Sequence, residues 1–549
     1  MNPPVASASP GVESGGPSPW LAALLLLPPV FSLQPVPIDE TRYLAVAWNM
    51  HLSGQWLVPW VDGAPYSDKP PLLFWLINLI WSVTGVHAWA ARLLELLIAL
   101  GTLPALASLG RRLGMDRAAV RATLWLWLGC AAFATYADVL LFDMLVTLCT
   151  LLAWRSTLAL AGSRWTGGAM VMAVALGLGI LAKGPVALLA GGAPALLAPW
   201  WLPSARAHPS GFYLRLLGVL IAAVLIALPW ALAAAHAGGP RYADDIFLRQ
   251  TMGRLTHSFA HARPWWWYLP MLPLMLLPWS AALGRAGATS TTCTDAPSLL
   301  HRFVVCAFLP SFVIFSLVSG KQPHYLLPLL PALALAGGTR LGTGRWRVVG
   351  WRVALIQAAI GLAVALGMGW LAVPAVNAGA IICGGLILAL ALSLVRYRAH
   401  PLQPGTVALG MLATLALCKF AFVLSIESRY DVRATALRVA QAQRADVPLL
   451  FAGAQDGLLT FAGRLTRPIP TARDPAKVAA WAWAHPGGWV ISSDDSYGGT
   501  ATPIHQQPYR GGRLAIWHAS DIAAGLDRRL ATRNPHPEKP EPQAVRPDR

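Results

Sequence analysis

Three lysines of this chain lie in short turns where an apolar stretch ends: Lys69, Lys183 and Lys321. Only six of the 42 Lys and Arg residues are lysines, so a lysine here is the exception. A compact ammonium group at the boundary between lipid and water is suited to bind a phosphate as a point charge. The alternative interpretation is that each lysine extends, or snorkels, toward neighbouring lipid headgroups.

Carboxylates lie in comparable positions. Asp39 and Glu40 open the string DETRY, which also contains Arg42 and directly follows the first apolar stretch, and Asp143 lies inside another apolar stretch. An ionisable group at membrane depth is costly and is therefore a functional candidate by default. The alternative for Asp143 is an ion pair with a nearby Arg or a helix cap. Placement alone predicts an outward-facing cavity for a phosphorylated lipid, without indicating whether that lipid is transported, bound or reacted.

The composition identifies the environment of these charges. Of the 549 residues 56% are apolar and 12% are charged, and the mean hydropathy is +0.53. Soluble proteins are roughly one quarter charged, so these values exclude a soluble enzyme and a disordered chain and predict a polytopic membrane protein. The formal net charge of +18 lies mostly in short loops between apolar stretches. This pattern indicates membrane orientation, and nucleic acid is not expected as a partner.

Hydropathy predicts about thirteen spans, since a bilayer core needs about 20 apolar residues per helix. They lie near residues 20–34, 88–109, 118–136, 140–160, 167–183, 185–201, 213–236, 266–283, 303–319, 326–339, 353–373, 379–395 and 406–425. The apolar stretch from Leu72 to Val86 is interpreted as an interfacial or re-entrant helix. Lys419 lies in the last span, where snorkelling accounts for it, and Asp138 is expected in a loop.

The arginine-rich loops all fall on one side of the membrane if the N-terminus is cytoplasmic, as the positive-inside rule requires. We therefore expect an all-α polytopic membrane protein with a small C-terminal α/β domain on the outside. In a double-membrane bacterium these locations are the inner membrane and the periplasm. The predicted parts are a cytoplasmic tail (1–19), a transmembrane domain (20–426) with outside loops at 35–87 and 237–265, the periplasmic domain (427–527) and a disordered tail (528–549).

At these residues the sequence resembles the membrane glycosyltransferases with the C-type fold. It resembles most the bacterial lipid A aminoarabinose transferases and the related dolichyl-phosphate-mannose protein mannosyltransferase superfamily. The strings that carry the resemblance are DETRY (39–43), YSDKP (66–70), Asp143, LAKG (181–184), HARPWWWYLP (261–270) and GKQPHY (320–325). Their order and rough spacing match over about residues 20–425, whereas the C-terminal domain matches only in placement and size.

The resemblance implies an inverting enzyme whose donor is a polyprenyl-phosphate-linked sugar, with no nucleotide sugar and no cofactor. The acceptor is a lipid such as lipid A, another surface glycan or a protein. Asp39 would act as general base toward a hydroxyl acceptor, or would orient a phosphate acceptor. Asp143 would be the second acid, and Glu40 is a further catalytic candidate. The side chains expected to bind substrate and the lipid phosphate are Arg42, Lys69, Lys183, Lys321, Tyr325, Asp68 and His261.

One residue departs from the pattern, because close relatives have Glu where this chain has Asp68. His257 and His261 could meet Asp68 at a metal ion, but two His and one Asp from distant loops are a weak signal, and we expect no metal.

Two other functions remain open from the sequence. A transporter or flippase of a lipid-linked sugar would also carry charges near the membrane face, although transporters usually show paired halves with broken helices near the midplane. The second alternative function is that of a catalytically inactive relative that binds polyprenyl phosphate.

Overall fold

The structure is a computed structural model that describes residues 18–163, 165–247, 261–286, 299–370, 378–395, 401–425, 427–494, 497 and 501–524. Two compact units are present. The membrane unit comprises the chain up to Gln34 together with Gly54–Pro59 and Pro65–Glu427. The second unit comprises Pro35–Ser53, Trp60–Ala64 and the chain from Ser428 onward. The expected disordered tail and His257 lie outside the described residues.

The membrane unit is built almost entirely of helices. They are Pro19–Ser32 (with an internal 3-10 turn), Leu72–Thr84, Ala88–Arg112, Arg117–Leu128, Ala131–Tyr136, Asp143–Leu160, Trp165–Lys183, Val186–Leu196, Ala198–Trp201, Pro203–Ala207, Pro209–Asp244, Tyr268–Met275, Trp279–Ala282, Leu299–Leu317, Leu330–Gly342, Gly350–Trp370, Ala378–Val395 and Pro404–Ser425. Additional 3-10 turns occupy Trp265–Trp267 and Pro323–Leu329, and two short strands, Leu283–Arg285 and Trp346–Val348, pair antiparallel. A further 3-10 turn, Glu427–Arg429, begins at the last residue of this unit.

Seven of the described helices are long and apolar enough to cross a membrane. The chain is therefore a mostly helical, multi-span membrane protein. Other predicted spans coincide with shorter or interrupted helices, such as Arg117–Leu128 followed by Ala131–Tyr136. Proline accounts for one interruption, since Pro278 separates Tyr268–Met275 from Trp279–Ala282. The count of thirteen spans stays a prediction.

Small residues allow neighbouring helices to approach closely. A Cβ atom added to Gly338 would lie 2.7 Å from the backbone nitrogen of Thr123, so helix Leu330–Gly342 packs directly against helix Arg117–Leu128. Within a membrane, such small-residue contacts replace the hydrophobic effect as the source of helix association. This packing fixes the helix that follows the GKQPHY string.

The second unit contains a five-stranded mixed sheet. Its strands lie in the order Thr471–Ala472, Leu449–Ala452, Trp489–Ser492, Gly512–His518 and His505–Tyr509. The first three are parallel, and the last two join antiparallel. The central strands are buried on both faces, as is typical of parallel sheets covered by helices.

Helices cover each face of this sheet. Helix Arg433–Arg444 packs with Leu449 and Phe451 on one face, while helix Pro475–Ala484 packs with Leu450 on the other. Successive strand residues thus enter opposite cores, as the two-residue period of a strand requires.

Helix Asp39–Ser53 belongs to the second unit, although the sequence places residues 35–87 among the outside loops of the transmembrane domain. The indole nitrogen of Trp48 donates to the carbonyl of Leu465 (2.8 Å), and the guanidinium of Arg464 lies over the Trp48 ring. The backbone amide of Gly457 donates to the carboxylate of Asp62 (2.9 Å). These contacts attach residues 35–53 and 60–64 to the C-terminal residues.

Candidate active site

A buried ion pair forms the centre of the candidate site. The Nζ atom of Lys183 lies 2.5 Å from the Oδ1 atom of Asp143, and their side chains are 10% and 3% exposed. Asp143 is the first residue of helix Asp143–Leu160, and Lys183 is the last residue of helix Trp165–Lys183. The helix macrodipole favours an acid at the first residue of a helix and a cation at the last residue. The two helices pack against each other, so their charged ends meet.

The local sequence explains why the second helix ends at Lys183. Gly184 has a φ of +75°, a left-handed conformation that glycine adopts without steric cost. Pro185 then precedes the next helix, Val186–Leu196, and cannot continue the preceding hydrogen-bond ladder. The LAKG string is therefore a helix terminus that presents an ammonium group at its last residue.

His324 and two tyrosines surround this ion pair. The Nε2 atom of His324 lies 3.8 Å from the Oδ2 atom of Asp143. The Nζ atom of Lys183 lies 4.2 Å from the centre of the Tyr325 ring, a cation–π contact. The His324 ring packs edge-on against Tyr325 and Tyr136. His324 and Tyr136 were not among the candidates from the sequence; the GKQPHY string held the signal for His324.

Lys69 lies near the Asp143–Lys183 pair and contacts the aromatic ring of Phe142. Its Nζ atom lies 5.9 Å from the centre of the Phe142 ring, and Phe142 immediately precedes Asp143. Asp68 is exposed, and Lys69 is half-buried. The structure thus brings Asp143, Lys183, Tyr325 and Lys69 into one neighbourhood of the membrane unit.

Lys321 and His261 lie in a short antiparallel contact between two loops. Ala262 bridges Gly320, and the backbone amide of Lys321 donates to the carbonyl of His261 (3.1 Å). The buried Nζ atom of Lys321 donates to the carbonyls of Arg263 (3.0 Å) and Val318. In this structure the ammonium group of Lys321 therefore fixes loop backbone, and its role toward a phosphate stays a prediction.

Asp39, Glu40 and Arg42 belong to the second unit. Asp39 is the first residue of helix Asp39–Ser53, and its half-buried side chain makes no hydrogen bond or ion pair with another described residue. The buried Glu40 carboxylate accepts a hydrogen bond from the Val36 amide (2.8 Å). Arg42 lies 3.7 Å from the Asp456 carboxylate. The catalytic and binding roles of these three residues stay predictions.

A second buried ion pair lies in the membrane unit. The Nζ atom of Lys419 donates to the carboxylate of Asp138 and to the carbonyl of Ala134. The Asp138 side chain is 0% exposed and that of Lys419 is 15% exposed. Snorkelling therefore does not describe Lys419, because its charge is directed to a buried acid.

Within the described residues, no three His, Cys, Asp or Glu side chains are grouped closely enough to hold a metal ion. The combination of Asp68, His261 and His257 includes a residue outside those ranges. The chemistry available at the site is that of a carboxylate, an ammonium group, an imidazole and a phenol. Such a set can bind an anion, stabilise charge and move a proton.

Comparisons with known proteins find similarity to membrane glycosyltransferases. A family model described as dolichyl-phosphate-mannose-protein mannosyltransferase matches residues 68–230, which include Lys69, Asp143 and Lys183. An undecaprenyl phosphate-alpha-4-amino-4-deoxy-L-arabinose arabinosyl transferase of Pseudomonas aeruginosa (strain LESB58) is 32% identical over 319 residues, 55% of each chain. The protein of the same name from Edwardsiella ictaluri is 32% identical over 307 residues, 54% of each chain. The chain thus spans about half the length of the curated relatives it matches.

A solved structure resembles nearly the whole chain. The crystal structure of ArnT from Cupriavidus metallidurans bound to undecaprenyl phosphate gives a TM-score of 0.72 at 19% identity, covering 92% of this chain and 98% of that one. The apo structure of the same protein gives a TM-score of 0.68. The chain therefore shares the ArnT fold, and the resemblance identified from the sequence strings is confirmed.

Proposed function

We propose that this chain is an inverting glycosyltransferase. It moves a sugar from a polyprenyl-phosphate carrier to an acceptor at the periplasmic face of the bacterial inner membrane. The observation that carries the proposal is the Asp143–Lys183 pair with His324 and Tyr325 around it, inside the residues and fold that resemble such enzymes. The named relatives suggest undecaprenyl phosphate as the carrier and an amino-pentose as the sugar. The acceptor is lipid A, another surface glycan or a protein.

The proposed reaction requires charge to move onto the carrier phosphate. The acceptor oxygen attacks the anomeric carbon, the bond from that carbon to the phosphate oxygen breaks, and polyprenyl phosphate leaves with the bonding electrons. Lys183 and Lys69 would stabilise the developing negative charge, and electrostatic stabilisation of this kind usually contributes most to lowering the reaction barrier. Asp143 holds Lys183 for this task, because the short contact between the two groups orients the ammonium group.

The carboxylate at residue 39 is proposed to act on the acceptor. If the acceptor is a hydroxyl, Asp39 takes its proton as general base. If it is a phosphate, which is already ionised, Asp39 orients it or stabilises the developing sugar cation. Its lack of a side-chain partner among the described residues leaves the carboxylate available for either role.

The remaining architecture follows from the same proposal. The arginine-rich loops would lie in the cytoplasm, the N-terminus with them, and the second unit in the periplasm. About thirteen spans and a separate periplasmic α/β domain complete this layout. The ArnT fold and the seven apolar helices support it.

The test uses a strain that lacks the gene, complemented with the wild type or with variants. Mass spectrometry of its lipids and glycans identifies the sugar that disappears on deletion and returns with the wild type. We expect Asp39→Asn and Asp143→Asn to lower the modification by at least about 10²-fold. Asp521→Asn, a change of an exposed acid in the second unit, is the matched control and restores the modification fully.

An assay with the purified protein then distinguishes an enzyme from a flippase. Incubated with the sugar-linked carrier and the acceptor so identified, the enzyme releases free polyprenyl phosphate, whereas a flippase leaves the glycosyl bond intact. Wild-type turnover by folded Asp39→Asn protein would remove the catalytic assignment of that residue. An intact donor after incubation with wild-type protein would remove the enzyme proposal itself.

A further inference from the structure

The membrane unit contains a cavity of about 670 Å³ away from the Asp143–Lys183 pair. Three elements form its walls: the C-terminal part of helix Arg117–Leu128, residues 276–285, and one face of helix Leu330–Gly342. The lining is largely apolar. The volume falls in the range of about 300–1,000 Å³ that is usual for small-molecule sites.

The shape of the cavity follows helix Leu330–Gly342. Leu330, Leu333, Ala334, Gly337 and Arg340 all line it, which is the spacing of a single helical face. The ten helical rises of 1.5 Å from Leu330 to Arg340 make this face about 15 Å long. That is about half of a hydrocarbon core of about 30 Å, so the groove has the depth of one leaflet.

Two arginines stand at one end of the groove. Arg340 and Arg285 line it, and neither forms an ion pair with a carboxylate among the described residues. The guanidinium of Arg340 lies 5.0 Å from the centre of the Trp346 ring. Arg285 and Trp346 are register partners in the two-stranded ladder, so their side chains leave the same face of it. The ladder and the indole ring therefore hold both cations beside the groove.

We propose that this groove binds an anionic phospholipid, with one acyl chain along helix Leu330–Gly342 and its phosphate between Arg285 and Arg340. The apolar walls fit a hydrocarbon chain, and the two guanidinium groups fit a phosphate, to which Arg binds in a bidentate manner. Arg340 lies at the opposite end of its helix from His324 and Tyr325, so this site is separate from the candidate active site. The inference does not depend on the proposed glycosyltransferase activity.

The test measures lipid retention by the full chain. Native mass spectrometry of detergent-purified protein compares phosphatidylglycerol with phosphatidylcholine of the same acyl chains. We expect the wild type to prefer phosphatidylglycerol, and Arg285→Gln/Arg340→Gln to lower that preference by about 10- to 30-fold, since each Arg that attracts an anionic lipid contributes about 5-fold and the two factors multiply. The matched control Arg112→Gln/Arg117→Gln removes two exposed charges from the same predicted side and leaves the preference unchanged.

A second variant keeps the test decisive if the double arginine variant does not fold. Ala334→Phe fills the groove without changing charge, and we expect it to lower retention of both phospholipids. Equal retention of the two lipids by the wild type would overturn the proposal. So would full retention by Ala334→Phe, or displacement of the bound phospholipid by stoichiometric undecaprenyl phosphate, which would assign the groove to the carrier.

Discussion

The buried pair of Asp138 and Lys419 leads to an asymmetric stability prediction. The Asp138 side chain is fully buried, and its Oδ2 atom has no hydrogen-bond partner among the described residues. Lys419 is 15% exposed and has a long flexible stem. Lys419→Met therefore leaves a carboxylate that cannot reach water, whereas Asp138→Asn leaves an ammonium group that can extend to the membrane boundary.

The magnitude follows from the burial of the two groups. Removing the cation leaves an uncompensated buried charge, which costs about 3–5 kcal/mol. Removing the acid loses one hydrogen bond between charged groups, which costs about 1–3 kcal/mol. The double variant Asp138→Asn/Lys419→Met has no buried charge, so we expect it to lie within about 1–2 kcal/mol of the wild type.

These differences in the free energy of unfolding are measured by unfolding the purified protein with increasing concentrations of sodium dodecyl sulfate. Tryptophan fluorescence monitors the transition. Lys477→Met, in an exposed position of helix Pro475–Ala484, is the control and should change little. If Lys419→Met is as mild as that control, the ion pair is not maintained in the membrane. If the double variant is as unstable as Lys419→Met, the buried charge is not the cause.

Two further predictions concern the second unit and the phosphate. Burial raises the pKa of Asp62 from its ordinary value of 3.8 to about 6, and the neighbouring Asp456 adds to the shift, against opposing contributions from the Gly457 amide and Arg42. Between pH 3.8 and about 6 the folded state binds more protons than the unfolded state, so the free energy of unfolding falls as the pH rises through this window, by up to about 3 kcal/mol. Asp62→Asn should remove this pH dependence in thermal unfolding measured from pH 4 to 8. A pH profile of the variant that matches the wild type would refute the prediction. Lys69→Ala and Lys321→Ala should each weaken polyprenyl phosphate binding by about 10- to 100-fold in a fluorescence titration, compared with Lys477→Ala. Unchanged affinity in both variants would remove the assignment of these two lysines to the phosphate.

The sequence placed Asp143 and Lys183 in one outward-facing cavity, although it did not predict that the two form an ion pair. Asp143 lies near the start of one apolar stretch and Lys183 at the end of the next. The two stretches are consecutive in the chain with a short connection, so antiparallel packing brings the start of one to the end of the other. The glycine and proline after Lys183 mark that end. Residue type and local spacing were therefore enough to predict that these two residues lie near each other.

Other parts of the site depend on packing that spacing does not encode. His324 contacts Asp143 from a 3-10 turn, Pro323–Leu329, which precedes helix Leu330–Gly342 and occupies the start of the span predicted at 326–339. Helix Asp39–Ser53 joins the second unit through contacts such as that of Trp48 with Leu465, which are 417 positions apart in the chain. Neither contact has a periodic signal in the sequence, so neither could be predicted from one chain.

The two buried ion pairs show why an ionisable residue at membrane depth is an incomplete criterion for function. Asp138 and Asp143 are both buried acids paired with a lysine, so burial and charge do not distinguish them. Their surroundings do. Lys183 ends a helix next to His324 and Tyr325, whereas Lys419 lies inside helix Pro404–Ser425 and donates to a buried acid and a backbone carbonyl. A membrane lysine at a helix end beside other titratable groups is therefore the stronger catalytic candidate.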